Sequence, residues 1–192
     1  MVKRRRWKSK LQVRGVIMKK VVKFGGSSLA NAEQFQKVGD IIRSDESRRY
    51  VVPSAPGKRF DEDIKVTDML YGCYDAASKG EDITEKINAI KARYYEIIKG
   101  LGLSLSLEEE FKKIDEDFRA QAGIQYAASR GEFLNGKIMA AYLGYDFVDA
   151  ASVIRFDKAG NLEAEETNKL LSKKLSKSQR SEERRVGKEC RS

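Results

Sequence analysis

The chain has 192 residues, 38 Lys and Arg against 29 Asp and Glu, a formal net charge of +9, two cysteines and no histidine. Without histidine there is no Ser-His-Asp triad, no imidazole base and no histidine metal site, and Cys73 and Cys190 alone build neither a disulfide framework nor a cysteine metal cluster. Chemistry is left to Lys, Arg, Asp, Glu, Ser, Thr or a soluble metal ion, and the sparse cysteines suit a reducing, cytoplasmic setting.

The basic excess is not spread evenly. Residues 1–17 hold seven Lys and Arg and no acid, and residues 180–192 hold five against three acids, so residues 18–179 are balanced at 26 and 26. A neutral body argues against nucleic acid as a partner, because counterion release needs a basic surface. Met18-Lys19-Lys20-Val21-Val22 reads as a start followed by a strand, which makes 1–17 a non-native basic extension. Residues 180–192 lack apolar periodicity and resemble the in-frame translation of a sequencing-library adapter, which leaves 18–179 as the domain. No run approaches the roughly 20 apolar residues of a membrane span.

In chain order, Lys19 to Phe24 reads as a strand, and Ala32, Phe35, Val38, Ile41 and Ile42 recur behind it at helical spacing. Tyr50 to Ser54 reads as a second, parallel interior strand in which Pro53 must take the last place or an unpaired side. Phe60 to Lys65 is polar and reads as a mobile loop. Three helices follow as an excursion over about 66–125: Val66 to Ala77, Asp82 to Leu101 with capping-box spacing at Asp82 and Glu85, and one opening at Ser106 with Phe111, Ile114 and Phe118 on one face. A helix from Ala127 to Leu143, a strand from Asp146 to Asp149, a hairpin around Lys158 to Asn161 and a helix from Glu166 to Leu175 complete an α/β pattern.

The segment richest in chemistry is Lys23-Phe24-Gly25-Gly26-Ser27-Ser28, a strand end, a glycine turn and the approach to a helix. Bare glycine amides and a following helix N-terminus suit an anion, and Lys23 adds a full charge at the sheet's C-terminal edge. It is neither the P-loop nor the dinucleotide turn, and a structural turn with a serine N-cap fits the same residues. Glu132 is equally ambiguous, since Ser129-x-x-Glu132 has capping-box spacing. Thr67 reads as an early helix residue or a ligand contact, and Arg130 as a surface charge or a site residue.

Taken together, Val22 to Ser28, then Val51-Val52-Pro53-Ser54-Ala55-Pro56-Gly57 with Lys65 to Leu70, then Ala128 to Leu134, resemble in order and spacing the motifs of aspartate kinases, members of the amino acid kinase superfamily. The likeness runs from about Met18 to Leu175. It implies a partial three-layer αβα sandwich with a mainly parallel central sheet and a helical excursion on the substrate side. It implies transfer of the ATP γ-phosphate to the β-carboxylate of L-aspartate, the first step toward lysine, threonine and methionine, with Mg2+ carried on the nucleotide. By the same resemblance Lys23, Gly25, Gly26 and Ser27 hold phosphate, Lys23 is catalytic, and Ser54, Thr67 and Glu132 meet the amino acid. No second half of the catalytic domain and no ACT regulatory domain is recognisable, so the chain reads as an N-terminal fragment, inactive by itself, of a homo-oligomeric source protein. The alternatives are another amino acid kinase, of glutamate or carbamate type, or a non-catalytic module with basic tails.

Overall fold

The computed structural model describes residues 18–189, with side chains described to residue 176. The readings of 1–17 and of 190–192 lie outside it.

Strand β1 (Lys20–Phe24) and strand β2 (Arg48–Pro53) pair in parallel, with Val21 opposite Tyr50, Lys23 opposite Val52 and Phe24 opposite Pro53. The β-branched residues Val21, Val22, Val51 and Val52 suit this pleat. Pro53 takes the last position of β2, and donation resumes one residue on, where the Ser54 N–H reaches the Phe24 carbonyl at 2.9 Å. Val22, Phe24 and Val51 face the core, whereas Val21 is 67% exposed and Val52 47%. Among the described residues this sheet is covered on one face only.

Helix α1 (Ala32–Arg43) follows a single 3-10 turn at Gly26–Leu29. Its cap is Asn31, whose side chain accepts the Gln34 N–H at 3.0 Å, so neither Ser27 nor Ser28 caps it. Phe35, Val38 and Ile42 are buried, but Ile41 turns outward at the edge of the stripe.

The expected excursion is present as α2 (Val66–Ser78), α3 (Thr84–Gly100) and α4 (Glu108–Arg119), closed by α5 (Ile124–Leu143). Tyr94, Leu70, Ile90, Phe118 and Leu134 are fully buried among these helices, with Tyr74 edge-on to Phe118 at 5.5 Å and Cys73 sealed on α2. Phe111, Ile114 and Phe118 form the buried stripe of α4 read from spacing. Asp82 accepts the Thr84 N–H at 3.0 Å and the Thr84 hydroxyl at 2.6 Å, so it caps α3 through Thr84 rather than through the expected box with Glu85.

Three expectations fail. Residues 145–149 form no strand, and a 3-10 turn follows at Ala150–Ser152. The hairpin shrinks to one antiparallel bridge, Phe156 with Leu162, around a loop gathered by the Asp157 carboxylate. The last helix, α6 (Ala164–Glu189), runs far past Leu175, because residues 164–186 contain neither glycine nor proline and are rich in good helix formers; a helix does not need apolar periodicity to continue. Backbone helix thus extends through 180–189, the stretch read as an adapter-derived tail.

Candidate functional site

The C-terminal ends of β1 and β2 release two loops side by side, Gly25–Gly26 and Ser54–Gly57. Side-chain alternation puts Val21, Lys23 and Val52 on the open face of the sheet, so the Lys23 ammonium stands at the mouth of both loops. Its Nζ lies 3.5 Å from the Ser54 Oγ, and Lys23, Gly25 and Ser27 are all exposed there.

The two loops touch backbone to backbone. The Gly57 N–H donates to the Gly26 carbonyl at 2.8 Å. A Cβ on Gly57 would stand 2.6 Å from the Gly26 carbonyl carbon and 2.7 Å from the Ser27 nitrogen, and one on Gly26 would stand 2.8 Å from the Ala55 oxygen. Glycine is needed at both for close approach. Gly25 differs: its φ is −77° and a Cβ there would meet nothing within 4 Å among the described residues, so neither dihedral nor their packing requires a glycine. The anion-binding helix start expected here is a 3-10 turn of only four residues, with α1 beginning further on at Ala32, so any cradle rests on the loop amides and Lys23 rather than on a helix end.

Helix α5 reaches the second loop from below. Glu132 sits in its interior, as the ninth residue of the helix, and its Oε1 accepts the Ala55 N–H at 3.2 Å while the side chain remains exposed. The capping-box reading of Ser129 and Glu132 is therefore overturned: α5 starts at Ile124, three residues before the expected Ala127, and the Ser129 hydroxyl donates back to the Tyr126 carbonyl at 2.7 Å. One turn on from Glu132, Asn135 is fully buried and donates through Nδ2 to the Ser54 carbonyl at 2.6 Å. Gly131 lies flush against Ala55, its missing Cβ 2.6 Å from the alanine's own. Tyr94, also fully buried, donates its hydroxyl to the Gly131 carbonyl at 2.8 Å; burial first, and the Glu132 charge second, push that hydroxyl well above the usual tyrosine range, which keeps it a donor. Arg130 is not a free surface charge: its guanidinium stacks on the rings of Tyr126 and Phe133, 4.3 and 4.6 Å from their centroids.

Thr67 is half-buried in the first turn of α2, whose start is pinned by the Val66 N–H donating to the Pro56 carbonyl at 3.2 Å. All seven residues singled out by the sequence thus lie on, or one residue from a contact with, these two loops.

The strap from Phe60 to Lys65, expected to be mobile, is instead anchored by Asp63. Its carboxylate is buried and accepts from Arg59 at 2.9 and 3.0 Å and from the Arg93 guanidinium at 2.9 Å. These bonds, Arg59 first, hold the Asp63 carboxyl well below its usual range. Arg93, on α3, also donates to the Gly57 carbonyl at 3.0 Å and the Ile64 carbonyl at 3.2 Å. Sequence reasoning missed Asn135, Arg93, Asp63 and Gly57. For Asn135 and Arg93 a signal existed, a polar residue within an apolar stripe, that of Leu134, Ile138 and Met139 for the one and that of Ile90, Tyr94 and Ile97 for the other; for Asp63, in a surface-like charged stretch, none did.

Among the described residues no three His, Cys, Asp or Glu side chains gather as a metal cluster, and no helix is long and apolar enough to cross a membrane. The groups beside the glycine turn are an ammonium and hydroxyls, which suit anionic oxygen rather than a cation.

The model of the amino acid kinase family matches residues 18–179. Aspartokinase 3 of Bacillus subtilis is 39% identical over 142 residues, covering 70% of this chain and 31% of that protein, and the chloroplastic aspartokinase 1 of Arabidopsis thaliana is 29% identical over 147 residues, covering 71% and 25%. Among solved structures, the aspartate kinase of Clostridium acetobutylicum matches with a TM-score of 0.78 at 43% identity, over 81% of this chain and 36% of that one. Aspartokinase III of E. coli in complex with aspartate and ADP matches with a TM-score of 0.67 at 23% identity, a likeness of fold. The chain spans about a third of the length of these relatives.

Proposed function

The chain belongs to the amino acid kinase family, and from that premise we propose that it forms the phosphate and amino-acid side of an aspartate kinase. The whole protein would transfer the γ-phosphate of ATP to the β-carboxylate of L-aspartate, giving 4-phospho-L-aspartate in the cytoplasm, as a homo-oligomer and without a nucleic-acid or membrane partner. The names of the relatives, and the aspartate and ADP bound to one of them, support this reading. The observation that carries it is the meeting of unlike charges at one edge: the Lys23 ammonium beside Ser54, and the exposed Glu132 carboxylate one residue further on the same loop.

Each group has a role its chemistry allows. Lys23 and the amides of Gly25, Gly26 and Ser27 would neutralise and orient the transferring phosphate, and Mg2+ would arrive on the nucleotide and offset its charge. Phosphoryl transfer to a carboxylate needs positioning and charge cancellation more than it needs a general base, which suits a chain without histidine. Glu132 would receive the α-ammonium of aspartate, with its Oε1 already oriented by the Ala55 N–H, and Ser54 and Thr67 would border the same amino acid. Alone, the chain would bind ligand without turning it over.

The test is calorimetric titration of the chain with ADP, L-aspartate, D-aspartate and L-glutamate, repeated on Glu132→Gln. The amide keeps an acceptor for Ala55 and drops the charge, so we expect an unchanged unfolding midpoint and L-aspartate affinity at least about tenfold weaker. Equal affinity for L-glutamate would move the reading to another amino acid kinase. Equal L-aspartate binding by wild type and variant would remove Glu132 from the site.

A further inference from the structure

We propose that Arg93 is a positioning residue for the Gly25–Gly26 loop, acting through Gly57. This deepens the reading of that loop as a phosphate site and rests on it.

Arg93 lies on α3, away from both glycine loops in sequence, and its side chain is 6% exposed. One Nη donates to the Gly57 carbonyl and the other to the Asp63 carboxylate and the Ile64 carbonyl. Its Nε is buried with no partner among the described residues. Burying a guanidinium with one N–H unpaired works against stability, and a buried ion pair is by itself weak evidence for it. What the guanidinium does supply is geometry. A planar fork holds the Gly57 carbonyl, ahead of the strap, and the Ile64 carbonyl, near the strap's end, in fixed relation. Gly57 then passes that constraint on, because its N–H is bonded to the Gly26 carbonyl and its Cα sits where no side chain fits against Gly26 and Ser27. Gly26 has no comparable tie to Arg93 of its own. The position of the first loop is thus set from α3, through the second loop, with Asp63 holding the fork in its plane and Arg59 and Glu96 flanking it on the solvent side.

The experiment is residue-resolved amide hydrogen exchange on the chain, wild type against Arg93→Lys, with ADP and L-aspartate titrations on both. Lysine keeps a cation for Asp63 and has no second arm for Gly57. We expect the Gly57 amide, bonded to the Gly26 carbonyl, and the Ser28 amide, bonded to the Gly25 carbonyl, to exchange at least about tenfold faster while the amides of Ile90 and Ile97 on α3 keep their protection, and ADP affinity to fall by more than L-aspartate affinity. Glu96→Gln should change none of these. Unchanged protection at Gly57 overturns the proposal, as does a uniform acceleration of Gly57 and α3 together, which is what a merely structural role produces. If Arg93→Lys does not fold, Asp63→Asn is judged by the same ratio of Gly57 to α3 exchange. A wild-type chain that takes up no ADP counts against the phosphate reading itself, and the exchange ratio still decides for or against Arg93.

Discussion

The two loops that leave the paired strands are built on opposite principles. The second, Ser54 to Gly57, is fixed by side chains from two helices and a strand and by the backbone of a third helix: Lys23 near its hydroxyl, Glu132 and Asn135 from α5, Arg93 from α3, and the α2 amide of Val66 on Pro56. Ala55, Pro56 and Gly57 are buried. The first loop has one tie to its neighbour, the Gly26 carbonyl, and otherwise presents exposed backbone at Gly25 and Ser27. One loop is a wall that the fold completes, and the other is an edge that the fold leaves bare. A glycine in the wall is demanded by neighbouring atoms, whereas the glycine at Gly25 answers to nothing among the described residues.

That contrast can be broken by substitution, and the largest effect belongs to the wall. Gly57→Ala drives a methyl into the backbone of Gly26 and Ser27, where no side chain can yield, and should cost on the order of 1–3 kcal/mol in denaturant unfolding. A variant as stable as wild type would mean that the loops separate without penalty. Asn135→Ala removes the donor to the buried Ser54 carbonyl and should cost about 1–3 kcal/mol in the same measurement.

The strap gives a pH-dependent version of the same contrast. The Asp63 carboxyl is held below its unfolded value by Arg59 and Arg93, so its contribution is present above that unfolded value, near about pH 4, and is lost as pH falls through it toward the folded value. Stability measured from pH 6 down to pH 2 should fall more steeply for wild type than for Asp63→Asn, and parallel curves would show that the pair contributes nothing. At the bare edge the stability effects are smallest. Gly25→Ala and Lys23→Met should each shift unfolding by no more than about 0.5 kcal/mol, yet weaken ADP binding about tenfold or more. Gly25→Ala with full ADP affinity would leave the bare edge without a ligand.

The sequence showed the edge better than the wall. Lys23, Gly25 and Gly26 announce themselves because a lysine and two glycines directly behind a β-branched strand form a local pattern. Ser54, Thr67 and Glu132 came from ordered motifs, and for Glu132 the local spacing pointed the wrong way, to a cap, because nothing near Gly123 marks α5 as starting at Ile124. The ties of the wall join residues 36, 77 and 81 positions apart. No window along the chain contains both ends of such a bond. The strap failed for a related reason: Phe60 to Lys65 has the composition of a solvated loop, and only the buried Arg93 turns Asp63 into an anchor. The fold followed the same division, with helices over 66–143 legible from apolar spacing, while the strand expected at Asp146 to Asp149 depends on a partner that local sequence cannot supply.

Cys73 gives the helical unit a clock. Its sulfur is sealed on α2 and burial pushes its thiol up to about 11, so at this position an alkylating reagent at neutral pH meets neither an accessible nor an ionised sulfur while the helices are closed. Labelling of that one position therefore times how often α2 parts from its neighbours, and because α2 begins on the Pro56 carbonyl, a ligand that steadies the wall should slow the clock.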